Sequence, residues 1–220
     1  MDESKFKALA AQLRKPEGEH GIEVGEIMNK GNKDINLFSI EALDVQKGDT
    51  ILEIGMGNGF FVKNIIEKAE SVKYIGCDFS EDMICQSSDN NTKFIENDIA
   101  DFRLSTAESL PVDSNSIDKI MTVNTIYFWE DKTQILAEFK RVLKPNGKLV
   151  IGLRPKHDLE TYPMTKYGFN MFTKEDVTTL LQENGFNKTE AINKKEEDKE
   201  FLGKMMKVSS LIVIGKTTSR

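Results

Sequence analysis

An apolar stretch that runs into three alternating glycines limits the folds open to this chain of 220 residues. Residues 51–61 read Ile-Leu-Glu-Ile-Gly-Met-Gly-Asn-Gly-Phe-Phe, and a helical pattern follows directly. Glycine takes backbone conformations closed to other residues and lets a ligand come close to the main chain. The stretch therefore predicts a buried strand, a tight turn and a helix whose free N–H groups face a bound molecule. A structural corner without a ligand is the alternative.

The spacing of the glycines separates two classes of nucleotide-binding turn. Nicotinamide and flavin folds use G-x-G-x-x-G, in which the third glycine allows close helix–strand packing around a pyrophosphate. Phe60 stands at that third position here. A large aromatic side chain at this point disfavours a nicotinamide-dependent oxidoreductase, and the chain has no recognisable substrate domain.

Composition argues against several other classes of function. Thirty basic and 36 acidic residues give a formal net charge of −6, which disfavours non-specific binding to DNA or RNA. No apolar run approaches the roughly 20 residues that span a bilayer, and the first residues show no signal-peptide pattern. The two cysteines, Cys77 and Cys85, are too few for a disulfide framework and have no metal-ligand spacing. We therefore expect a cytoplasmic protein without a membrane span or a metal; the oligomeric state is not indicated.

Helical and strand patterns alternate along most of the chain. Apolar spacing predicts a helix over 2–15, a break from Pro16 to Gly25, and further helix up to Leu43. The strands predicted after the glycine turn are 72–77, 102–107, 117–123, 148–153, 186–194 and 208–216. A long helix is expected from Ser80 to about Asn97, and the mixed-sign run 194–200 is expected to be a solvated loop. Alternating β and α units give a parallel, doubly wound sheet, and the final hairpin makes the last strand antiparallel.

The second predicted strand ends in an acid, Asp78, 23 positions after Gly55. This interval is close to the roughly 20 residues that place a carboxylate on ribose hydroxyls in nucleotide-binding α/β folds. The next helix opens at Ser80, so Asp78 could instead be a helix-capping acid.

Four segments together resemble the class I S-adenosylmethionine-dependent methyltransferases of type 11, the family similar to the enzymes of ubiquinone and menaquinone biosynthesis. They are E-x-G-x-G-x-G over 53–59, D-x-S-x-x-M over 78–83, R-V-L-K-P-N-G-K-L-V-I over 141–151, and Arg-Lys-Pro-Glu-Gly over 14–18 followed by Met28-Asn29. The resemblance runs from about residue 14 to the C-terminus. It implies a seven-stranded Rossmann-like fold, with residues 1–45 as an N-terminal helical lid segment and residues 46–220 as the methyltransferase domain.

The resemblance also implies where the sugar and the methionine moiety of S-adenosylmethionine would bind. The turn from Gly55 to Gly57 approaches the methionine moiety and the ribose, and Glu53 holds that turn through water. Asp78 accepts hydrogen bonds from the ribose hydroxyls. Asn124, after the fourth strand, meets the amino-acid end of the cofactor through its backbone.

The adenine is placed by the same resemblance. Phe79 and Met83 pack against the ring, and the main chain at Ala107, with Glu108 nearby, reads its edge. Thr106 stands where the family often has an acid, so one adenine contact is expected to differ here. The cofactor-binding residues implied in this way are Glu53, Gly55, Met56, Gly57, Asp78, Phe79, Met83, Thr106, Ala107, Glu108 and Asn124.

The chemistry implied is direct displacement at a sulfonium carbon, for which the protein mainly supplies alignment and exclusion of water. A general base is needed only if the acceptor loses a proton near neutral pH. Tyr127, His20 and His157 are the candidates. Surface histidines and a packing tyrosine are the alternative interpretations.

The acceptor is expected to be a small, partly apolar molecule, with Trp129, Tyr162 and Phe169 as walls of its pocket. The lid segment is expected to complete that pocket and to contribute little to the cofactor site; packing for stability alone is the alternative. A non-catalytic S-adenosylmethionine-binding protein remains a second hypothesis.

Overall fold

Nine strands are present in the computed structural model, which describes residues 2–201 and 203–218. They are β1 (Thr50–Ile54), β2 (Lys73–Asp78), β3 (Ala100–Leu104), β4 (Ile117–Val123), β5 (Leu143–Leu153), β6 (Asn187–Lys195), β7 (Lys199–Phe201), β8 (Lys204–Met206) and β9 (Ser209–Lys216). Seven of them form one sheet in the order β3-β2-β1-β4-β5-β9-β6, while β7 and β8 form a separate antiparallel pair.

The directions of the strands confirm the predicted sheet. The first five strands run parallel to one another, whereas β9 is antiparallel to both β5 and β6. The chain winds outward from β1 through β2 to β3, then returns to place β4 on the other side of β1. Ligands of such sheets bind where this reversal opens a crevice outside the carboxyl ends of the strands. The glycine turn follows β1 at this point.

Helices cover both faces of the sheet and one of its edges. They are α1 (Glu3–Arg14), α2 (Gly18–Gly31), α3 (Lys33–Leu43), α4 (Val62–Ile66), α5 (Glu81–Asn90), α6 (Thr92–Glu96), α7 (Lys132–Val142), α8 (Lys156–Leu159) and α9 (Lys174–Glu183), with 3₁₀ turns at Ile126–Phe128 and Pro163–Lys166. Across the described ranges, no helix is long and apolar enough to cross a bilayer.

Two helix boundaries differ from the sequence prediction because tertiary contacts set them. The stretch 18–25 was expected to be irregular but lies in α2, where Gly21 passes so close to Pro16 that a Cβ would stand 2.8 Å from its carbonyl carbon. The long helix after β2 breaks at Asn91 into α5 and α6. The Asn91 side chain donates there to the main-chain oxygen of Gly59 at 3.1 Å.

The third helix, within the segment 1–45 expected to be a lid, packs against the sheet. Ile35, Ile40 and Leu43 of α3 are fully buried against a face of the sheet. Gly152 of β5 provides the space, because a Cβ there would overlap the hydroxyl oxygen of Ser39. Residues 33–43 therefore contribute to the core.

The charged run 194–200 is not a fully solvated loop, contrary to expectation. The Glu196 side chain is buried and ion-paired with Arg154 at the end of β5. It also accepts a bond from Lys199 at 2.7 Å, and both cations donate to the main-chain oxygen of Gly31 at the end of α2. Burying a carboxylate is tolerated here because it is paired and hydrogen-bonded.

The contact of α3 with β5 gives a test of the core. Gly152→Ala adds a methyl group against Ser39, with Val123 and Ile35 also in contact, and should lower the free energy of unfolding by about 1–3 kcal/mol through overpacking. Urea denaturation measures the change. Adding Ser39→Ala removes the overlapped oxygen and should restore part of the loss, whereas an unchanged stability for Gly152→Ala would contradict this packing.

Candidate functional site

A cavity of about 320 Å³ lies at the carboxyl ends of β1, β2 and β4, where the order of the strands reverses. Its floor is the glycine turn, and its sides come from the loops that follow the strands. The residues that line it are Leu13, Arg14, Pro16, Met28, Ile54, Gly55, Gly57, Cys77, Asp78, Phe79, Ser105, Thr106, Ala107, Glu108, Val123, Asn124, Thr125, Phe128, Trp129, Glu130 and Ile135. We call this space the large cavity.

The glycines of the turn are required for two different reasons. Gly55 has φ +71°, and a Cβ there would overlap the methyl group of Thr125. Gly57 has φ +59°, but a Cβ there would meet no atom within 4 Å. Left-handed backbone is costly for any other L-residue in both places. At Gly55 the neighbouring Thr125 leaves no room for a side chain. At Gly57 the space next to the main chain is open, so a ligand can approach it.

Asp78 is buried at the end of β2 with its carboxylate at the wall of the large cavity. One carboxylate oxygen accepts the Gly57 N–H at 3.0 Å, and the other accepts the Ser80 N–H at 3.0 Å. Burial raises the pKa of the carboxyl to about 6, against these two favourable bonds. The N-cap of α5 is Ser80, whose hydroxyl accepts from Met83. The alternative that Asp78 caps the helix is therefore not seen, and its free lone pairs remain available.

Three of the residues assigned to the cofactor lie beside a second, smaller cavity of about 60 Å³ on the other side of the glycine turn. Glu53 is buried there and accepts the hydroxyl of Tyr74 at 2.6 Å, and burial raises its pKa to about 7. Met56 and Met83 also line this space. Met83 thus lines the smaller cavity, whereas Phe79 lines the large cavity.

The loop after β3 lines the large cavity as expected. The strand ends at Leu104, three residues earlier than predicted, which leaves Thr106, Ala107 and Glu108 in a loop facing the cavity. Phe79 faces the same space and is 39% exposed. A half-exposed aromatic ring next to an open main chain is a surface on which a flat apolar group can pack.

Asn124, directly after β4, also lines the large cavity. It has φ +57°, and its N–H donates to Gly152 O at 2.8 Å. Its side-chain oxygen accepts the hydroxyl of Tyr127 at 2.9 Å. The left-handed backbone turns the chain sharply after β4, so the main chain of Asn124 borders the large cavity.

None of the three candidate bases is among the residues that line the large cavity. Tyr127 is buried, its hydroxyl is held by Asn124 and by the Arg154 amide, and burial pushes its pKa far above the usual value. His20 and His157 are exposed, near Glu23 and Asp158 respectively, and neither lines a cavity described above. Their positions match the alternative interpretations, as packing and surface residues.

Of the three aromatic residues expected to form walls of an acceptor pocket, one lines the large cavity and two pack elsewhere. Trp129 lines the large cavity and donates to Thr125 at 3.2 Å. Phe169 instead packs on Tyr127 and Phe128, and Tyr162 packs on Phe201. The insertion 154–172 therefore supports the wall of the cavity from behind.

The N-terminal segment contributes more to the site than the sequence indicated. Leu13, Arg14, Pro16 and Met28 all line the large cavity. The segment is fastened at the start of α5, where Ser80 donates to Pro16 O at 2.6 Å and Gly18 N donates to Asp82 at 2.7 Å. Arg14 pairs with Glu130 across the cavity rim at 2.9 Å. No local sequence pattern predicts these contacts, because each joins residues at least 64 positions apart.

The donor set of the large cavity fits an adenine nucleoside with a sulfonium substituent. An acceptor for ribose hydroxyls is present in Asp78, and the open position at Gly57 admits a ligand. Within the part of the chain that the structure describes, Ser105 Oγ is the buried side-chain atom without a hydrogen-bond partner, and it borders this cavity. No group of acidic, histidine or cysteine side chains suited to a metal occurs among residues 2–201 and 203–218.

Comparisons with known proteins agree with this geometry. Residues 52–151 match the family profile described as "Methyltransferase domain". YdaC of Bacillus subtilis, named as an uncharacterized methyltransferase, is 29% identical over 136 residues, which cover 60% of this chain and 71% of that protein. YrhH of the same organism, also named as a methyltransferase, is 31% identical over 124 residues, which cover 56% of this chain and 68% of that protein.

The fold is shared over nearly the whole chain with a solved structure. A methyltransferase of Haloferax volcanii, determined in complex with the Trm112 activator, superposes with a TM-score of 0.75 at 16% identity and covers 99% of both chains. Among relatives named for what they act on, a 27-O-demethylrifamycin SV methyltransferase of Amycolatopsis mediterranei is 28% identical over 50% of this chain and 40% of that protein. A tRNA (guanine-N(7)-)-methyltransferase of Clostridium botulinum is 25% identical over 56% of this chain and 60% of that protein.

The contrast between two glycines tests the site. Gly57→Ala should leave the protein folded, at a cost of about 1–2 kcal/mol for the left-handed backbone. Its methyl group points into the open space where a ligand would approach. The affinity for S-adenosylhomocysteine should therefore fall at least about tenfold, which corresponds to about 1.4 kcal/mol of binding free energy. Thermal unfolding and calorimetric titration measure the two effects.

Gly55→Ala is the matched comparison, because its methyl group overlaps Thr125. It should destabilise the free protein more than Gly57→Ala does. A Gly57→Ala protein that binds the ligand as tightly as wild type would show that the turn does not face the cofactor.

Proposed function

Because the chain belongs to the class I S-adenosylmethionine-dependent methyltransferases of the type-11 family, we propose that its large cavity holds the cofactor and presents the methyl group to a small, partly apolar acceptor. The buried carboxylate of Asp78 at the end of β2 carries this proposal. It is already oriented by Gly57 and Ser80 and lies at the cavity wall. A buried acid in this place is costly unless a ligand uses it.

Each proposed contact has a physical reason in the geometry. Asp78 accepts the ribose hydroxyls, because a carboxylate is the strongest acceptor in the cavity. Phe79 and the loop at Thr106–Glu108 hold the adenine between an aromatic face and main-chain groups. Gly57 and Asn124 border the sulfonium end, where a side chain larger than that of glycine would intrude at the turn.

When bound, S-adenosylmethionine supplies a methyl group on a positively charged sulfur, and transfer is a direct displacement at that carbon. The chain contributes alignment and a dry environment. Met28, Val123 and Trp129 are apolar walls near the turn, and excluding water from this space favours displacement over hydrolysis. No histidine, tyrosine or lysine is among the described residues that line the large cavity. Carboxylates are present there in Asp78, Glu108 and Glu130, so the chain must supply a base only if the acceptor loses a proton near neutral pH.

The walls of the large cavity support a small acceptor. Leu13, Met28, Phe128, Trp129 and Ile135 give it an apolar side, and the Arg14–Glu130 pair crosses its rim. A cavity closed in this way admits a small molecule more readily than a folded nucleic acid. The relative named for rifamycin matches this acceptor class, whereas the relative named for tRNA represents the competing class.

We further propose that the lid comprises α1 and α2, up to residue 31. These two helices border the cavity through Leu13, Pro16 and Met28, while α3 packs against the sheet. The lid thus covers the cofactor as well as the acceptor, which replaces the expectation that it contributes little to the cofactor site.

The choice between acceptor classes has a direct test. At roughly 50 mM salt, where electrostatic attraction to nucleic acid is strong, a gel-shift assay with tRNA and duplex DNA should show no tight, salt-sensitive complex. A panel of small hydroxylated and amine acceptors should yield S-adenosylhomocysteine above the background rate. Methylated tRNA as the product, with none from the panel, would contradict the proposal.

Asp78 provides the test of the cofactor site. Asp78→Asn keeps the shape and one acceptor for the neighbouring N–H groups but removes the charge. Losing bonds from two hydroxyls to a charged acceptor costs about 1.5–3 kcal/mol, so affinity for 5′-methylthioadenosine should fall roughly tenfold to more than a hundredfold. The melting temperature of the free protein is the control for folding.

The affinity should also depend on pH with a sign set by this carboxyl. Burial raises its pKa to about 6 in the free protein, and the hydroxyls of the ligand favour the ionised form. Affinity for 5′-methylthioadenosine should be constant above pH 7 and fall about tenfold per pH unit well below 6. Asp78→Asn should remove this dependence; a variant with the wild-type pH profile would assign the titration to another group.

A further inference from the structure

Another cavity, of about 490 Å³, lies at the end of the sheet opposite the glycine turn. It is bordered by the residues before β4, the C-terminal half of α7, the start of β5 and the residues after β9. The parallel strands β4 and β5 begin here, whereas the large cavity lies where β4 ends. Among the described residues, none lines both cavities. We call this second space the basic cavity.

An irregularity in β5 shapes one wall of the basic cavity. In the pairing of the two strands, two steps along 117–119 of β4 correspond to five steps along 143–148 of β5. The extra residues of β5 bulge out of the sheet, and Lys144 and Pro145 among them line the basic cavity. This segment belongs to the sequence motif over 141–151, which lines no part of the large cavity.

Three cations line the basic cavity, and no acid is among its described lining residues. Two of them are fixed by acids that lie outside the lining. Arg141 donates from Nε to Glu138 at 2.7 Å, and Lys144 pairs with Asp118 at 2.6 Å. The third cation is Lys140. Ion pairing therefore holds two of the cations in place at this cavity.

Lys140 differs from the other two because it is not paired. Its side chain makes no hydrogen bond or ion pair within residues 2–201 and 203–218. Its ammonium group lies next to the turn that follows α9, where a Cβ on Gly185 would stand 2.6 Å from Nζ. The absence of a side chain at Gly185 makes room for the ammonium group. The full donor capacity of Lys140 is thus open to a ligand.

The cations leave several hydrogen-bond donors unused. Four N–H groups of Arg141 are occupied, by Glu138, by a main-chain oxygen and by the hydroxyl of Ser114. A guanidinium has five, so one remains. Of the three N–H groups of an ammonium, Lys144 uses one for Asp118, and Lys140 uses none among the described residues.

Main-chain acceptors beside the cavity are, in contrast, already used. Arg141 O accepts the Asn115 N–H at 2.9 Å, and Lys144 O accepts the hydroxyl of Thr217 at 3.0 Å. The carbonyl groups at the end of α7 are therefore not free to bind a cation. Unused donors without unused acceptors favour an anion over a cation or a neutral sugar.

The number of donors and the size of the cavity indicate the kind of anion. A carboxylate has two oxygens and one charge, whereas a phosphate chain presents many oxygens and several charges to a set of separate cations. A volume of about 490 Å³ leaves room for more than a single phosphate group. The chain as a whole has a formal charge of −6, so this local set of cations contrasts with the rest of the protein.

We propose that the basic cavity binds a small molecule with a diphosphate or longer phosphate chain, held by Lys140, Arg141 and Lys144. The site is separate from that of the cofactor and does not depend on the proposed function. Helix α7 borders both sites, because Ile135 lines the large cavity and Ala137 lines the basic cavity.

Pyrophosphate is the probe, because it carries the phosphate chain and nothing else. Calorimetric titration at about 50 mM salt, where charges are weakly screened, should show saturable binding to the wild-type protein. Lys140→Gln should weaken it about tenfold, as for the loss of hydrogen bonds from a charged group. Lys93→Gln is the control, since Lys93 is exposed on α6 and lines none of the three cavities. It should leave the affinity within about twofold.

Ala137→Glu and Ala137→Gln form a matched pair that differs only in charge. Ala137 is exposed on α7 and lines the basic cavity, and both new side chains are good helix formers. Both variants should therefore fold, with melting temperatures close to that of wild type. Ala137→Glu should bind pyrophosphate at least about tenfold more weakly than Ala137→Gln, because it places an acid beside the ligand.

The results separate this proposal from its competitors. Weaker pyrophosphate binding in both Lys140→Gln and Ala137→Glu, relative to their controls, supports it. Binding that is absent in wild type, or that these variants leave unchanged, overturns it. Tighter binding of citrate than of pyrophosphate would assign the cavity to polycarboxylates. Retention of tRNA that Ala137→Glu abolishes, without binding of pyrophosphate, would assign it to nucleic acid; either result also overturns the proposal.

Uridine diphosphate distinguishes two sources of the phosphate chain. Its base is a pyrimidine, so it does not test the adenine contacts proposed for the large cavity. Affinity above that of pyrophosphate would identify a nucleotide as the ligand, and equal affinity would identify the phosphate chain alone. Both results support the proposal, provided that Lys140→Gln weakens the binding.

Discussion

The hydrogen bond from the Gly57 amide to the Asp78 carboxylate joins the two halves of the site. It links the turn after β1 to the end of β2 at 3.0 Å, and Gly57 donates it from a left-handed backbone conformation. The cost is a buried carboxyl whose pKa burial raises to about 6. A ligand that donates to this carboxylate relieves the cost, so the fold and the cofactor depend on the same bond.

The N-terminal segment is held to this centre by polar contacts near both ends of α2. The segment before it is fastened through Pro16 O to Ser80, and Gly18 N donates to Asp82. At its far end Gly31 O accepts from Arg154 and Lys199. By contrast, α3 is fixed by buried apolar side chains. Under the proposal that α1 and α2 form a lid, such contacts near the ends of α2 would be broken and remade when the lid moves.

The described lining of the large cavity has no histidine, tyrosine or lysine, and its carboxylates are those of Asp78, Glu108 and Glu130. A sulfonium methyl group carries its own activation, so placement supplies most of what the protein can add. Tyr127 illustrates the point, because its hydroxyl shapes the loop after β4 through Asn124 and Arg154 and is itself buried. Its role is to support the cavity wall.

The sequence by itself determined the sheet, the turn and the acid at the end of β2, because these rest on local patterns. Strand β4 was predicted residue for residue. Tertiary structure alone decided the contacts between distant segments. Glu196 lies in a run that looks solvated, yet Arg154 pairs with it 42 positions away. Likewise, Asn29 and Asn58 share one pocket because α2 lies against the turn. Local sequence patterns do not predict such contacts, because the contacts depend on how the helices pack across the folded sheet.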